Sequence, residues 1–173
     1  MDLDTSVKLT VYRHFAATGT APTPGQVAQR LACSATEVRA AFARLRANRV
    51  LLLEPDGETI RMAPPFSGVP TAHRVEIGEQ RYFANCAWDA LGIPAALHRA
   101  AVVQSRCGQS GEPLRLEVGT DGPEASEWLF HCQVPAARWW ADLASPEARC
   151  SSSGRKNWCG PGVDHAASSR GRW

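Results

Sequence analysis

The sequence lacks the features that define several broad protein classes. No apolar run in its 173 residues approaches the length of a membrane-spanning helix. Its acidic start, MDLDTSVKLTVYRH, contains no hydrophobic signal-peptide core. The formal net charge is only +2, so bulk charge does not favour nucleic-acid binding. The apolar share of 44% is ordinary for a globular protein. We therefore expect a cytoplasmic globular protein with no membrane partner.

Closely paired cysteines are also absent. The six cysteines form no CxxC motif and stand at long, irregular intervals: Cys33, Cys86, Cys107, Cys132, Cys150 and Cys159. Structural zinc sites use closely spaced ligand pairs, so this spacing argues against such a site. A disulfide framework is not expected in a cytoplasmic chain of this length. We interpret the cysteines as individually placed thiols.

The first part of the chain is predicted to contain three helices and a β-hairpin. The first helix spans Thr5–Ala17. The second begins at TPGQVAQRLA with Thr23 as its N-cap, and the third begins at the capping box formed by Ser34 and Glu37. The segment VLLLEPDGETIRMAPP then predicts two strands around a tight turn. This order of elements is typical of a winged helix-turn-helix.

The third predicted helix carries four arginines, Arg39, Arg44, Arg46 and Arg49. In a DNA-binding winged helix this element contacts the duplex, so the arginines could contact phosphates. An ordinary solvated helix face explains them equally well, and the fold also serves as a scaffold. The alternative function is therefore a DNA-binding regulator whose C-terminal part senses a thiol-reactive ligand or a soft metal.

A Pro- and Gly-rich stretch, Ala63–Ala72, is predicted to be a linker. Together with the change in composition after Leu143, it divides the chain into residues 1–65, 66–143 and 144–173. The middle part predicts strands in HRVEIG, AAVVQSRC, LRLEVG and SEWLFHCQV, a helix in NCAWDALGIPAAL and a further helix start in PAARWWADL. The fold class is thus α+β: a winged-helix-like three-helix domain and a small domain with a mixed or antiparallel sheet.

The last part of the chain has an unusual composition. After Leu143 there is no Leu, Ile, Met, Phe or Tyr, and Ser, Gly, Arg and Ala dominate. So little apolar surface cannot offset the entropy lost on ordering. Residues 144–173 are therefore predicted to be disordered.

Cys86 and Asp89 stand three positions apart at the start of a predicted helix and would share one face. The helix N-terminus stabilises a thiolate, whereas a nearby carboxylate raises the thiol pKa. The two groups therefore favour sharing one proton. This pair suits a soft thiolate that binds a ligand while the acid transfers a proton, and a hard metal is not expected. A buried structural cysteine beside a solvated aspartate explains the same pattern.

The segment RYFANCAWDALGIPAAL, followed by AAVVQSRCGQSGEPLRLEV, resembles the core of the organomercurial (alkylmercury) lyases. The likeness covers roughly residues 5–143. It implies that Cys86 is a thiolate that attacks mercury and that Asp89 protonates the departing carbon, which gives a hydrocarbon and bound Hg(II) without an organic cofactor. Cys107 matches a family cysteine with a structural role. The implied partners are an organomercurial substrate and a thiol carrier or mercuric reductase that accepts Hg(II).

The family's second mercury-binding cysteine has no counterpart in the segment ASPEAR. Cys150 and Cys159 follow nearby, and Cys150 is retained as a candidate mercury ligand. A reading-frame shift near Ala144 would explain both the missing cysteine and the altered composition. The shifted frame permits an apolar strand and an amphipathic helix, with a UGA codon, which can encode selenocysteine, at the expected cysteine position. This chain would then be impaired; an inactive homologue is a third interpretation.

Overall fold

The computed structural model describes residues 2–108, 110–126, 128–132, 140, 156–159 and 170–171. The chain divides into two compact units, Met1–Pro70 and Thr71–Trp173. No helix in the described ranges is both long and apolar enough to pass through a membrane.

The first unit contains three helices, α1 (Leu3–Thr18), α2 (Pro24–Leu31) and α3 (Ala35–Ala47). Their starts follow from the sequence. The Asp2 side chain accepts a hydrogen bond from the Thr5 amide, and α2 and α3 each begin with a complete capping box. The three predicted helices are confirmed, although α1 begins at Leu3 rather than at Thr5. Their apolar faces form the core: Val7, Val11, Phe15, Val27, Val38, Ala41, Phe42 and Leu45.

Three short antiparallel strands complete this unit: β1 (Leu52–Leu53), β2 (Ile60–Ala63) and β3 (Phe66–Ser67). The predicted hairpin is confirmed, and the Asp56 carboxylate fixes its turn by accepting the amides of Glu58 and Thr59. The order of three helices followed by this small sheet is the one predicted.

The linker prediction at Ala63–Ala72 is wrong for its first half, because β3 lies within it. Phe66 is buried, and its ring stacks on Phe15 with the centroids 5.3 Å apart. Ser67 pairs with Met62 of β2. Burial of an aromatic ring outweighs the local preference of Pro and Gly for an open chain. The structure accordingly divides the chain after Pro70 rather than after residue 65.

Two of the four arginines on and after α3 are paired with acids in this unit. Arg44 makes a bidentate ion pair with Asp4, with nitrogen–oxygen distances of 2.8 and 2.7 Å. Arg39 Nε lies 2.6 Å from Glu58 Oε1. These contacts favour the interpretation of a solvated helix face over that of a phosphate-binding surface.

The second unit is built on an antiparallel sheet with the strand order β5-β4-β6-β7-β8. Its elements in chain order are β4 (His73–Ile77), β5 (Gln80–Ala84), α4 (Ala87–Leu97), β6 (Ala101–Arg106), β7 (Pro113–Gly119) and β8 (Gly122–Pro123). Buried and exposed residues alternate along β4 and β7, as expected for a sheet with one covered face. Helix α4 packs on this sheet through Ala87, Ala90, Ile93 and Pro94.

A second, smaller sheet has the order β10-β9-β11, with β9 at Leu129–Cys132, β10 at Lys156–Cys159 and β11 at Arg170–Gly171. Within residues 144–173 the structure describes only β10 and β11. The predicted disorder of the remaining residues, and the predicted helix in PAARWWADL apart from helical Trp140, lie outside the described residues.

Candidate functional site

Cys86 stands at the junction between β5 and α4. It is the N-cap residue of α4, with extended backbone angles φ −149° and ψ 176°, and its carbonyl accepts the Ala90 amide at 3.0 Å. Its side chain does not cap the helix. The sulfur is therefore available for a contact with the first turn, beside the positive end of the helix dipole.

The Cys86 thiol donates a hydrogen bond to Asp89, with Sγ and Oδ2 3.3 Å apart. Only 4% of Cys86 is exposed, and Asp89 is half-buried. The predicted contact between the two side chains is thus present, as a hydrogen bond from the thiol to the carboxylate. Their catalytic roles stay a prediction.

Cys107 follows β6 and is buried, as predicted. Its Sγ accepts the Ser110 amide at 3.4 Å, and its own amide binds the Glu112 carbonyl at 2.8 Å. The residue therefore anchors the turn between β6 and β7. This position suits the structural role that the family resemblance implies.

The other candidate thiols are not brought to this site by the described part of the chain. Cys150 lies outside the described residues, as do the side chains of Cys132 and Cys159. Cys33 belongs to the first unit. Among the described residues, no three His, Cys, Asp or Glu side chains cluster in a way that could hold a metal ion.

One buried polar pair in the second unit was not predicted from the sequence. His73 Nδ1 and Ser105 Oγ lie 2.7 Å apart, and the two residues are only 1% and 5% exposed. Burial lowers the pKa of His73 to about 4, so its imidazole is neutral near pH 7. The alternation of HRVEIG does place His73 on the same face as Val75 and Ile77, but its partner lies 32 positions away.

The strand register puts this pair at the same end of the sheet as Cys86. His73 is paired with Ala84, two residues before Cys86. Thr71, which precedes His73 by two residues, donates its hydroxyl to the Ala84 carbonyl. Strand β5 ends at Ala84, and the chain bends at Asn85 and Cys86 before α4 begins.

Two surface cavities lined by described residues of the second unit contain neither Cys86 nor Asp89 in their walls. One of about 440 Å³ lies over the exposed sheet face, around Arg74, Gln104 and Arg115. Another of about 330 Å³ runs along α4 from Trp88 to Ala95 and reaches the β7–β8 turn. The thiol of Cys86 therefore opens into neither of these two cavities.

The fold and the contact between Cys86 and Asp89 together define an α+β protein with a thiol and an acid at the start of a helix that packs on a sheet. The sequence profile of the family described as alkylmercury lyase matches residues 66–153 of the chain. The chain belongs to the alkylmercury lyase family. Its predicted family resemblance is thereby confirmed. The helices and antiparallel sheets confirm the predicted α+β class.

Several relatives are themselves described as alkylmercury lyases. The chain is 38% identical to that of Pseudomonas putida over 84 residues, which are 47% of the chain and 36% of the relative. It is 38% identical to that of Bacillus cereus over 53 residues, 31% of the chain and 24% of the relative. For Streptomyces lividans the identity is 44% over 52 residues, 30% of the chain and 24% of the relative. These matches span about a quarter to a third of the relatives' length.

A solved structure has a similar fold. The crystal structure of the mercury-bound form of MerB2 superposes with a TM-score of 0.67 at 18% identity, covering 92% of this chain and 74% of that chain. At this identity the likeness shows the fold. Nothing in these comparisons favours the alternative of a DNA-binding regulator.

Proposed function

We propose that the protein is an organomercurial lyase, which cleaves carbon–mercury bonds by protonolysis and yields a hydrocarbon and Hg(II). The observation that carries this proposal is the hydrogen bond between Cys86 Sγ and Asp89 Oδ2. Family membership supports it, because relatives over the matched region are described as alkylmercury lyases.

In the first step the Cys86 thiol passes its proton to Asp89 along the existing hydrogen bond. The resulting thiolate lies at the N-terminus of α4, where the helix dipole stabilises negative charge. Its sulfur lone pair forms a bond to the mercury of the substrate. The soft thiolate matches the soft metal, and Asp89 is left as a neutral carboxylic acid.

In the second step the Asp89 acid donates its proton to the carbon bound to mercury. The carbon–mercury bond breaks, its electron pair forms the new carbon–hydrogen bond, and the hydrocarbon leaves. Asp89 returns to the carboxylate, and Hg(II) remains bound to the Cys86 sulfur. No electron is gained or lost, so the reaction needs no redox cofactor. The carboxylate, now beside the bound cation, offsets part of its charge.

The product and the setting of the reaction follow from this chemistry. Hg(II) bound to one thiolate exchanges readily with other thiols, so a thiol carrier or a mercuric reductase is the expected acceptor, and the cytoplasm is the expected compartment.

We assign the first unit the role of a winged-helix-like scaffold. Its pairing of Arg39 and Arg44 with carboxylates supports this role over DNA binding.

Incubation with phenylmercury or methylmercury in excess thiol tests the proposal. We expect release of benzene or methane, measured by gas chromatography of the headspace. Release should be lost in Cys86→Ser and Asp89→Asn and kept in Cys33→Ser, since Cys33 lies in the other unit. Binding of mercury by the unaltered chain without any hydrocarbon would contradict the proposal.

A further inference from the structure

The cavity of about 440 Å³ over the exposed sheet face of the second unit has a strongly basic wall. The wall contains three arginines, Arg74, Arg106 and Arg115, and one side-chain amide, Gln104. None of the described residues that line it is acidic. Like charges gathered around one cavity repel one another, and a bound anion removes that repulsion. The volume lies in the range of small-molecule sites, so the wall favours a small anion as the occupant.

The strand register places three of these side chains in one row across the sheet. Arg74 of β4 is the partner of Gln104 of β6, and Gln104 is the partner of Arg115 of β7. The residues before and after each of them in its strand are buried, so the row lies on the exposed face. Neighbouring strands are about 4.8 Å apart, which puts the Cα atoms of the two arginines about 10 Å apart. Two arginine side chains at that spacing can reach one ligand from both sides of Gln104.

The protein itself neutralises little of this positive charge. Arg115 Nη1 lies 2.8 Å from Glu117 Oε1, but both side chains are more than half exposed, and such a surface pair is weak. Arg106 Nη1 donates to the Gly111 carbonyl, which is uncharged. In the described part of the chain no carboxylate forms an ion pair with Arg74. The three guanidinium groups and the single paired carboxylate therefore have a net charge of +2.

We propose that this cavity binds a small dianion, a dicarboxylate or a phosphate, through Arg74 and Arg115. A guanidinium group offers paired N–H donors in a plane, and their spacing matches two oxygens of a carboxylate or a phosphate. Gln104 stands between the two arginines and adds a neutral amide donor. A ligand with two negative charges balances the net charge of the group. Neither Cys86 nor Asp89 lies in the wall, so this inference does not depend on the proposed function.

The first test needs no variant. The full chain is titrated with succinate and, separately, with inorganic phosphate by isothermal titration calorimetry, with NaCl holding the ionic strength constant so that general charge screening does not change. We expect saturable binding of one ion per chain. Tighter binding of succinate would identify carboxylates as the preferred ligand chemistry, and tighter binding of phosphate would identify phosphoryl groups. Absence of saturable binding for both ions overturns the inference.

The second test compares arginine variants. Arg74→Gln and Arg115→Gln should each weaken binding about tenfold or more, because each removes a charged hydrogen-bond donor. Arg74→Lys should also weaken it, since lysine keeps the charge but loses the paired donors.

The matched control is Arg81→Gln. Arg81 is an exposed arginine of β5 that pairs with Glu76 and is not in the cavity wall. Its replacement changes the charge of the chain by the same amount, so the affinity should stay unchanged. Equal losses in Arg81→Gln and Arg74→Gln would show that overall charge attracts the ion, which overturns the inference. If the Arg74 and Arg115 variants do not fold, the Nε–H resonances of these two arginines in the unaltered chain decide, because they should shift on binding whereas that of Arg81 should not.

Discussion

The thiol of Cys86 and the carboxylate of Asp89 share a hydrogen bond of 3.3 Å across the first turn of α4. The pair is held by the backbone, because Cys86 is the N-cap and Asp89 lies in the first helical turn. An acid that already accepts the thiol proton is in position to deliver the same proton to a carbon atom bound at the sulfur. The first prediction follows from this relationship.

Replacement of Asp89 by Asn should separate the two steps of the proposed reaction. The amide cannot deliver a proton to carbon, so hydrocarbon release should fall by about 10²–10⁴-fold. Binding of phenylmercury through Cys86 should persist, since the sulfur is unchanged. Single-turnover release of benzene and stoichiometric binding of phenylmercury, measured on the same sample, check this. Equal rates for Asp89→Asn and the unaltered chain would remove Asp89 from the chemistry.

Stability should fall on mild acidification because His73 is buried in its neutral form. Burial lowers the pKa of His73 from 6.5 to about 4. Below pH 6.5 the unfolded imidazole binds a proton that the folded one does not, so the free energy of unfolding drops as pH falls towards 4 and is unaffected above 6.5. The slope is about 1.4 kcal/mol per pH unit for one proton.

Urea unfolding at several pH values between 7 and 4.5 measures this effect. His73→Phe should flatten the dependence, and the exposed His98 provides the control, as His98→Asn. His14, whose pKa is also lowered, mainly by burial, contributes to the remaining slope. An unchanged slope in His73→Phe would show that the ring is not the group that takes up the proton.

Phe66 should be a major source of stability for the first unit. Its ring is buried and stacks on Phe15. Phe66→Ala should therefore lower the free energy of unfolding by about 3–5 kcal/mol. Phe66→Leu, which keeps most of the apolar volume, should cost much less. Equal losses in the two variants would mean that packing at this position does not depend on the size of the side chain.

The nucleotide sequence tests the origin of the altered composition after Leu143. We predict that the shifted frame near Ala144 encodes an apolar segment and holds an in-frame UGA codon close to its start. An open frame without that codon, or a shifted frame with no apolar segment, would contradict the prediction. A chain carrying selenocysteine at that position should release hydrocarbon faster than this one, because it would restore a second soft ligand.

Much of the first unit follows from local sequence signals. The capping boxes at Thr23 and Ser34 and the apolar spacing of α1 and α3 determine where these helices begin and which faces are buried. The position of β3 does not follow, because its pairing and the stacking of Phe66 are tertiary contacts within a stretch whose composition favours a loop.

The candidate site, too, can be predicted from the sequence only in part. Cys86 and Asp89 are close in sequence, so helical geometry alone predicts their contact. His73 and Ser105 meet only through the register of β4 with β6, which strand periodicity cannot supply. The sequence places His73 on a buried face but does not give its partner.

Protonolysis in heavy water tests the central claim most directly. The chain is incubated with phenylmercury in D2O, where the Cys86 and Asp89 protons have exchanged, and the benzene released is examined by mass spectrometry. The proposed reaction predicts benzene that carries one deuterium, formed by the unaltered chain and Cys33→Ser but not by Cys86→Ser or Asp89→Asn. Phenylmercury that stays bound and intact, or benzene formed equally by Asp89→Asn, would contradict it.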